Sequence, residues 1–291
     1  MKTLNVVGAG RVGRTLASLW TGRHAFAVQD VLDGTIEGGR AAVAFIGDGK
    51  AVESVAAMRS ADVWMLTTTD RNIASSCERV AACGLLRPGD IVFHCSGALS
   101  SVELSAAASS SASIASIHPL KTFADSRDAV RTFAGTYCAS EGDVAALGVL
   151  TPAFERIGGR VCEIDAGHKT IYHAGSVMVS NYLTALLEVG LRCYEKAGIA
   201  RDTASAMIEP IVRETVDNVF ALGPARALTG PIVRGDHAVI ERQLKALSAL
   251  DAPSAATYRD LGLAALEMAR GQGNLDKETL NRLTAALNAN K

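Results

Sequence analysis

The first fourteen residues constrain the chain most. Leu4-Asn5-Val6-Val7 is an apolar run of strand length. Gly8-Ala9-Gly10-Arg11-Val12-Gly13 follows it directly, and residues 14–20 read as a helix. Strand, glycine turn and helix in succession, with glycines spaced G-x-G-x-x-G, form a dinucleotide-binding signature. The first glycine permits the tight turn. The second lets backbone approach a pyrophosphate, and the third lets helix and strand pack closely. The helix N-terminus adds free N–H groups and partial positive charge. Gly8, Ala9, Gly10, Arg11, Val12 and Gly13 are therefore the expected phosphate cradle.

Residues 25–31 read as a second strand, with Asp30 and Asp33 at its end. An acid about twenty residues past the glycines hydrogen-bonds an adenosine ribose and favours NAD over NADP. Asp33-Gly34 is also a turn dipeptide, so a ribose role and a turn role both fit Asp33. Residues 62–68 form an apolar strand suited to a sheet covered on both faces. It ends in Thr67-Thr68-Thr69-Asp70. Ligands sit outside the carboxyl ends of such strands, which makes Thr67 and Thr68 cofactor candidates. A helix cap before Asn72 would use the same residue types. Residues 91–95 give another short strand, and Ser96 and Gly97 follow at the same edge. Ser96 lacks a G-x-S-x-G setting, which excludes a hydrolase nucleophile of that kind. Residues 105–113 are serine-rich and read as a mobile loop. A strand at 114–117 runs into His118-Pro119-Leu120, which puts His118 at the ligand edge. Strands at 136–139 and 160–164 flank a helix at 143–157. This alternation implies an α/β domain with a doubly wound parallel sheet.

The pattern changes near Asp165. Residues 1–165 form the expected dinucleotide-binding domain, and 166–291 an all-α domain. Its first helix, 166–197, would be about 45 Å long. Lys169, His173, Ser176, Val177, Ser180, Asn181 and Thr184 recur on it at three and four residues. They make one polar stripe. Buried unpaired polar groups cost roughly 1–3 kcal/mol each, so the stripe needs a ligand or a polar network. Residues 170–187 lack Asp, Glu, Lys and Arg. With these polar groups the segment reads as a buried helix, not a membrane span. Further helices are expected at 201–222, 237–250, 253–270 and 277–288. In Leu228-Thr229-Gly230-Pro231-Ile232-Val233-Arg234-Gly235-Asp236, Thr229 is a hydrogen-bond donor and Arg234 a fork for a carboxylate. A local Arg234–Asp236 pair would explain the same residues.

Charge and cysteines narrow the class. With 29 basic and 30 acidic residues and no basic stripe, nucleic acid is not the expected partner. Met1-Lys2 leads into a strand, not a secretory signal. The six cysteines have neither C-x-x-C nor zinc-site spacing. They read as buried reduced thiols of a cytoplasmic protein.

Four motifs occur in order over nearly the whole chain. They are Gly8-x-Gly10-x-x-Gly13; His118-Pro119-Leu120 before Phe123; Tyr172-His173 with Ser180-Asn181-Tyr182; and Leu228-Thr229-Gly230-Pro231 with Arg234-Gly235-Asp236. The set resembles a family of two-domain Rossmann-like oxidoreductases with a C-terminal domain of unknown function. More distantly it is similar to pyrroline-5-carboxylate reductase, ketopantoate reductase, prephenate dehydrogenase and coenzyme-F420-linked NADP reductases. The resemblance implies a nicotinamide cofactor, a homodimer through the helical domain and a cleft between domains. It also implies an Asn-Arg-Ser-like segment suited to a 2′-phosphate, where this chain has Asp33-Gly34-Thr35. The resemblance thus points to NADP and Asp33 to NAD. The expected activity is reduction of a C=O or C=N bond in a small keto acid or cyclic imino acid. His173 or Lys169 would be the general acid. His118, Ser96 and Gly97 would lie by the nicotinamide. Asn181 and Thr229 would orient the substrate, and Arg234 would hold its carboxylate. A non-catalytic dinucleotide sensor or dimeric scaffold is the alternative. Methyl transfer is disfavoured by the glycine spacing.

Overall fold

In a computed structural model, residues 1–289 are described. They pack as two compact units, one spanning Met1–Val179 and one beginning at Ser180. The first unit carries strands β1 (Lys2–Val7), β2 (Phe26–Leu32), β3 (Lys50–Val52), β4 (Val63–Leu66), β5 (Ile91–His94), β6 (Ser113–Pro119), β7 (Tyr137–Gly142) and β8 (Arg160–Glu163). They form one sheet of order β3-β2-β1-β4-β5-β6-β7-β8. Helices α1 (Arg11–Gly22), α2 (Ile36–Ile46), α3 (Ile73–Ala82), α4 (Ser105–Ser109), α5 (Ser126–Arg131) and α6 (Val144–Arg156) connect them. Every strand pair is parallel except β6–β7.

That reversal departs from the all-parallel expectation, and its cause is where the link lodges. Residues 120–136 stay at the edge where β6 ends: Asp125 and Arg127, at the start of α5, share a recess with Arg11 and Arg14 at the start of α1, and the Leu120 N–H donates to the Tyr137 carbonyl at 2.8 Å. The chain therefore enters β7 from that edge and runs antiparallel to β6.

The sheet is apolar on both faces. One face, with Leu4, Val6, Met65 and Phe93, packs beneath α1, α2 and α6; the other, with Val7, Trp64 and Leu66, packs beneath α3 and α4. Trp20 is the hub of the first face. It meets Phe26, Phe93 and Phe154 edge-on, and its indole N–H donates to the Ala153 carbonyl at 2.9 Å. The serine-rich tract expected to be a mobile loop is instead the helix α4 followed by β6. Alanine is the best helix former, and here Ala107 is buried in the core. The Ser109 hydroxyl turns back to the Ser105 carbonyl at 3.0 Å.

The expected single helix over 166–197 is broken. Helix α7 (Lys169–Val179) ends the first unit and α8 (Asn181–Lys196) begins the second. Ser180 between them has φ −118° and ψ −71°. The local run Gly175-Ser176-Val177-Met178-Val179-Ser180 is rich in poor helix formers, and the break falls at its end. The segment is not buried either. Ala166–Lys196 is long and apolar enough to cross a membrane by length and composition, and none of its apolar window is buried. Ile171 is 69% exposed and Val179 73%. The compact first unit thus extends past Asp165, because the start of α7 is anchored on the sheet.

The second unit continues with α9 (Arg201–Leu222), α10 (Pro224–Ala227), α11 (His237–Leu250), α12 (Ala252–Gln272) and α13 (Lys277–Asn288). Its core lies among α11, α12 and α13, around Ile240, Leu244, Leu266 and Leu283. Asp251 caps α12 through the Ser254 N–H at 2.7 Å and pairs with Arg192 of α8. All six cysteines are free. Cys77 and Cys138 are buried, but Cys83 and Cys162 are exposed, contrary to uniform burial.

Replacing Trp20 by Phe keeps the aromatic contacts and removes the N–H that satisfies the Ala153 carbonyl. The expected loss is about 1–3 kcal/mol of unfolding free energy, read from a shifted denaturant midpoint with unchanged slope.

Candidate functional site

The glycine turn sits at the carboxyl edge of the sheet, between β1 and α1. Gly8 has φ +91°, and its N–H donates to the Leu32 carbonyl at 2.8 Å. A Cβ there would stand 2.6 Å from the Thr68 nitrogen. A Cβ on Gly13 would stand 2.6 Å from the Gly8 carbonyl oxygen and would strike the Thr67 hydroxyl. That hydroxyl donates to the same carbonyl at 2.7 Å. Gly8 and Gly13 are thus explained by internal packing. Gly10 is not. Its φ is −64°, open to any residue, and a Cβ on it would meet nothing within 4 Å.

What Gly10 borders is a cavity of about 760 Å³, whose walls include Gly8, Asp33, Glu53, Thr68 and Arg79. Half a dinucleotide fits such a volume. Asp33 lies just past β2, and one of its carboxylate oxygens accepts from the Ala9 N–H at 3.2 Å. Arg79 donates to the Ser76 hydroxyl at 3.2 Å. Asp30, the other acid noted in sequence, is buried and held by the Arg59 backbone N–H at 2.7 Å and its guanidinium at 2.8 Å. That pairing removes it from the cavity. Arg11 points to a smaller polar recess of about 350 Å³ that it shares with Arg14, Asp125 and Arg127. Val12 packs against the core.

A second constellation lies further along the same edge. His94, Ser116 and Glu141 are successive cross-strand neighbours on β5, β6 and β7. Into this row reaches Lys169, the first residue of α7, only 1% exposed. Its amine donates to the Ser96 carbonyl at 2.9 Å and to the Ser116 hydroxyl, 3.8 Å from the Glu141 carboxylate. Glu141 accepts in turn from the Ser101 N–H at 2.8 Å and the Ser101 hydroxyl at 2.7 Å. Burial pushes the Lys169 amine below its ordinary pKa, and Glu141 works against that shift. Lys169, expected as a proton donor to a ligand, is instead committed to three protein groups.

His94 is fully buried and neutral. Its Nδ1 accepts from the Ser96 N–H at 3.1 Å, so its Nε2 carries the proton donated to the Ser100 carbonyl at 3.0 Å. Burial holds its pKa down at about 4. Ser96 is likewise occupied. Its hydroxyl accepts from the N–H groups of Ala98 and Leu99 at 3.2 and 3.1 Å, so it shapes its own turn instead of facing a cofactor.

Gly97 is squeezed between two histidines. A Cβ on it would lie 2.9 Å from His118 Nε2 and would strike His173. The two imidazoles are 5.8 Å apart, edge to face. His118 Nδ1 lies 3.0 Å from the Tyr172 hydroxyl. Burial, then the charge of Lys169, pushes the His118 pKa down to about 4. Ser96, Gly97, His118, Lys169 and His173 are therefore brought together within the first unit. His94, Ser116, Glu141 and Tyr172 join them, although sequence reasoning gave none of the four a role in the site. One signal was available: Glu141 is an acid inside a strand of small residues, and a buried lysine requires an acid.

The polar stripe divides at Ser180. Asn181 and Thr184 fall in the second unit and are exposed. Thr229 lines an apolar cavity of about 670 Å³ within that unit, with Leu228, Pro231 and Tyr258. Arg234, expected to hold a carboxylate, is paired locally with Asp236 at 2.9 Å. Among the described residues no group of three His, Cys, Asp or Glu could hold a metal ion.

Residues 2–119 match the model of a Rossmann-like domain, and residues 136–265 match that of a domain of unknown function, DUF2520. No curated protein matches the chain. Among solved structures, protein TM1727 from Thermotoga maritima is 25% identical, with 93% of this chain and 99% of that one covered and a TM-score of 0.72. Protein BF3122 from Bacteroides fragilis is 19% identical, with coverage of 92% and 98% and a TM-score of 0.73. A variant imine reductase from Myxococcus stipitatus in complex with NAD+ is 18% identical, with coverage of 97% and 99% and a TM-score of 0.63.

Neutral His94 makes stability depend on pH. Its folded pKa of about 4 lies below the unfolded value near 6.5, so the unfolded chain binds the extra proton between them. Stability from this site is complete above pH 6.5 and is lost as pH falls towards 4, by up to about 3 kcal/mol. Thermal melts across this window should show a shallower pH slope for His94→Gln than for the wild type.

Proposed function

We propose that this chain, a Rossmann-like domain joined to a DUF2520 domain, is a nicotinamide-dinucleotide-dependent oxidoreductase acting on a C=O or C=N bond of a small carboxylate-bearing metabolite. Gly10 carries the reading. Neither its φ nor its packing calls for glycine, and it borders the cavity at the turn. Close approach of a pyrophosphate does call for it. The fold shared with an imine reductase supports the C=N reading.

When bound, the cofactor supplies the hydride. The chain supplies its seat and the proton. The N–H groups at the start of α1 meet the pyrophosphate, and Asp33 meets the adenosine ribose. Asp33 and Glu53 border one cavity, and two carboxylates there repel a 2′-phosphate, which favours NAD(H). His173, half-buried beside Gly97, is the proton donor to the reduced atom. His118 stays neutral over the working pH range, and through Nδ1 it fixes the Tyr172 hydroxyl at the same edge.

The chain acts as a homodimer. A second copy covers the apolar surface of α9 that includes Met207, Ile211 and Phe220, the last 86% exposed. Sedimentation should show a dimer that Phe220→Asp shifts towards monomer.

Titration with NADH, followed by nicotinamide fluorescence, tests the cofactor reading. Wild type should bind NADH at least about tenfold tighter than NADPH, and Asp33→Asn should narrow that gap. Gly10→Val should still fold, with a slightly lower melting midpoint because Gly10 is the N-cap of α1 and valine caps poorly, yet lose NADH by tenfold or more, as its side chain occupies the pyrophosphate position. Wild type that binds neither nucleotide at about 1 mM, a very weak affinity, would sink the reading. So would Gly10→Val with undiminished affinity.

A further inference from the structure

We propose that Lys169 is a positioning residue. Its buried ammonium, held by the Ser96 carbonyl, the Ser116 hydroxyl and the Glu141 carboxylate, fixes the Ser96–Gly97 turn and with it the nicotinamide end of the cofactor site. The inference rests on the cofactor reading above and adds how that site is kept in shape.

Direction along the sheet edge comes first. The cavity at Gly8, Gly10 and Asp33 lies over the β1 and β2 side. A dinucleotide seated there by its adenosine half runs towards the ends of β4, β5 and β6. The Ser96–Gly97 turn and His118 stand at those ends. The turn has little of its own to hold it: the Ser96 hydroxyl closes it from within, and His94 takes the Ser96 N–H. The Ser96 carbonyl accepts its short bond, 2.9 Å, from Lys169, which belongs to a different element 73 residues away, and a longer one, 3.5 Å, from the Ser116 hydroxyl. Gly97 then touches both His118 and His173, so a shift of the turn moves both imidazoles. Inside a protein an ammonium is kept only where acceptors meet it from several sides, as they do here. The amine contacts the backbone that would carry the cofactor, not the solvent-open edge where a substrate would lie.

The test compares NADH with ADP-ribose, which lacks the nicotinamide. Lys169→Met alone would leave Glu141 charged and buried, so the double variant Lys169→Met/Glu141→Gln removes both charges. Ser116→Ala takes away one partner of the amine, with that hydroxyl's longer contacts to the Ser96 carbonyl and His94, and retains the charges. Expected is a loss of at least about tenfold in NADH affinity for the double variant, the order of one charged hydrogen bond, with ADP-ribose affinity unchanged within about twofold. Ser116→Ala should show a smaller loss in the same sense. The His118 and His173 ring protons should also shift by NMR in both variants without any ligand. Equal losses for the two ligands, unchanged NADH affinity, or unmoved histidine resonances would each overturn the proposal. Wild type that binds neither ligand would instead fail the cofactor reading, and the histidine resonances would still decide whether Lys169 sets the turn.

Discussion

A charged amine in a protein interior has to be met by acceptors or give up its proton. Lys169 meets that demand with the Ser96 carbonyl, the Ser116 hydroxyl and the Glu141 carboxylate. Those partners come from the turn after β5, from β6 and from β7. One side chain therefore ties the last helix of the first unit to three separate parts of the sheet edge. The surrounding hydroxyls of Ser101 and Ser116 and the neutral imidazole of His94 complete the set. Such a network is costly when half made and rigid when complete. It is complete here for each of its named members.

The other end of the edge obeys a different economy. Around the glycine turn the chain approaches itself so closely that side chains have no room: Gly8 against Thr68, Gly13 against Thr67. Only Gly10 faces open space. The edge thus has one end built by exclusion of side chains and another built by buried polar pairing. A dinucleotide needs both, a backbone it can approach and a fixed surface for its reactive ring.

What was readable in sequence was local. The strand–glycine–helix opening, the strands at 62–68 and 91–95 and the helices past residue 200 all follow from apolar periodicity and glycine placement, and they recur in the fold. The departures are non-local. The reversal of β7 depends on where α5 lodges, beside the start of α1. The α4 helix depends on core space for Ala107. The stripe at 169–184 looked continuous because helical spacing was assumed through Ser180, where the backbone turns aside. Lys169 and His173, four residues apart on α7, both stand against the Ser96–Gly97 turn. Of their neighbours, Glu141 shows in sequence only as an acid among small residues, and Ser116 shows nothing, since pairing between strands is invisible to spacing along the chain. The exposure of residues 170–187 is hidden from sequence for a related reason: periodicity tells that a face is apolar, not what covers it.

The reversed β7 has one more consequence. Apolar parallel strands such as β5 and β6 can slide by two residues and keep every side chain on its original face. Hydrophobic burial alone would barely register the error. The row of His94, Ser116 and Glu141 does register it, because a two-residue slip of β6 replaces Ser116 with Ile114 or His118 between the other two. Glu141 stands in that row only because its strand enters from the opposite end. The polar row thus serves as a key that only one alignment of these strands can turn.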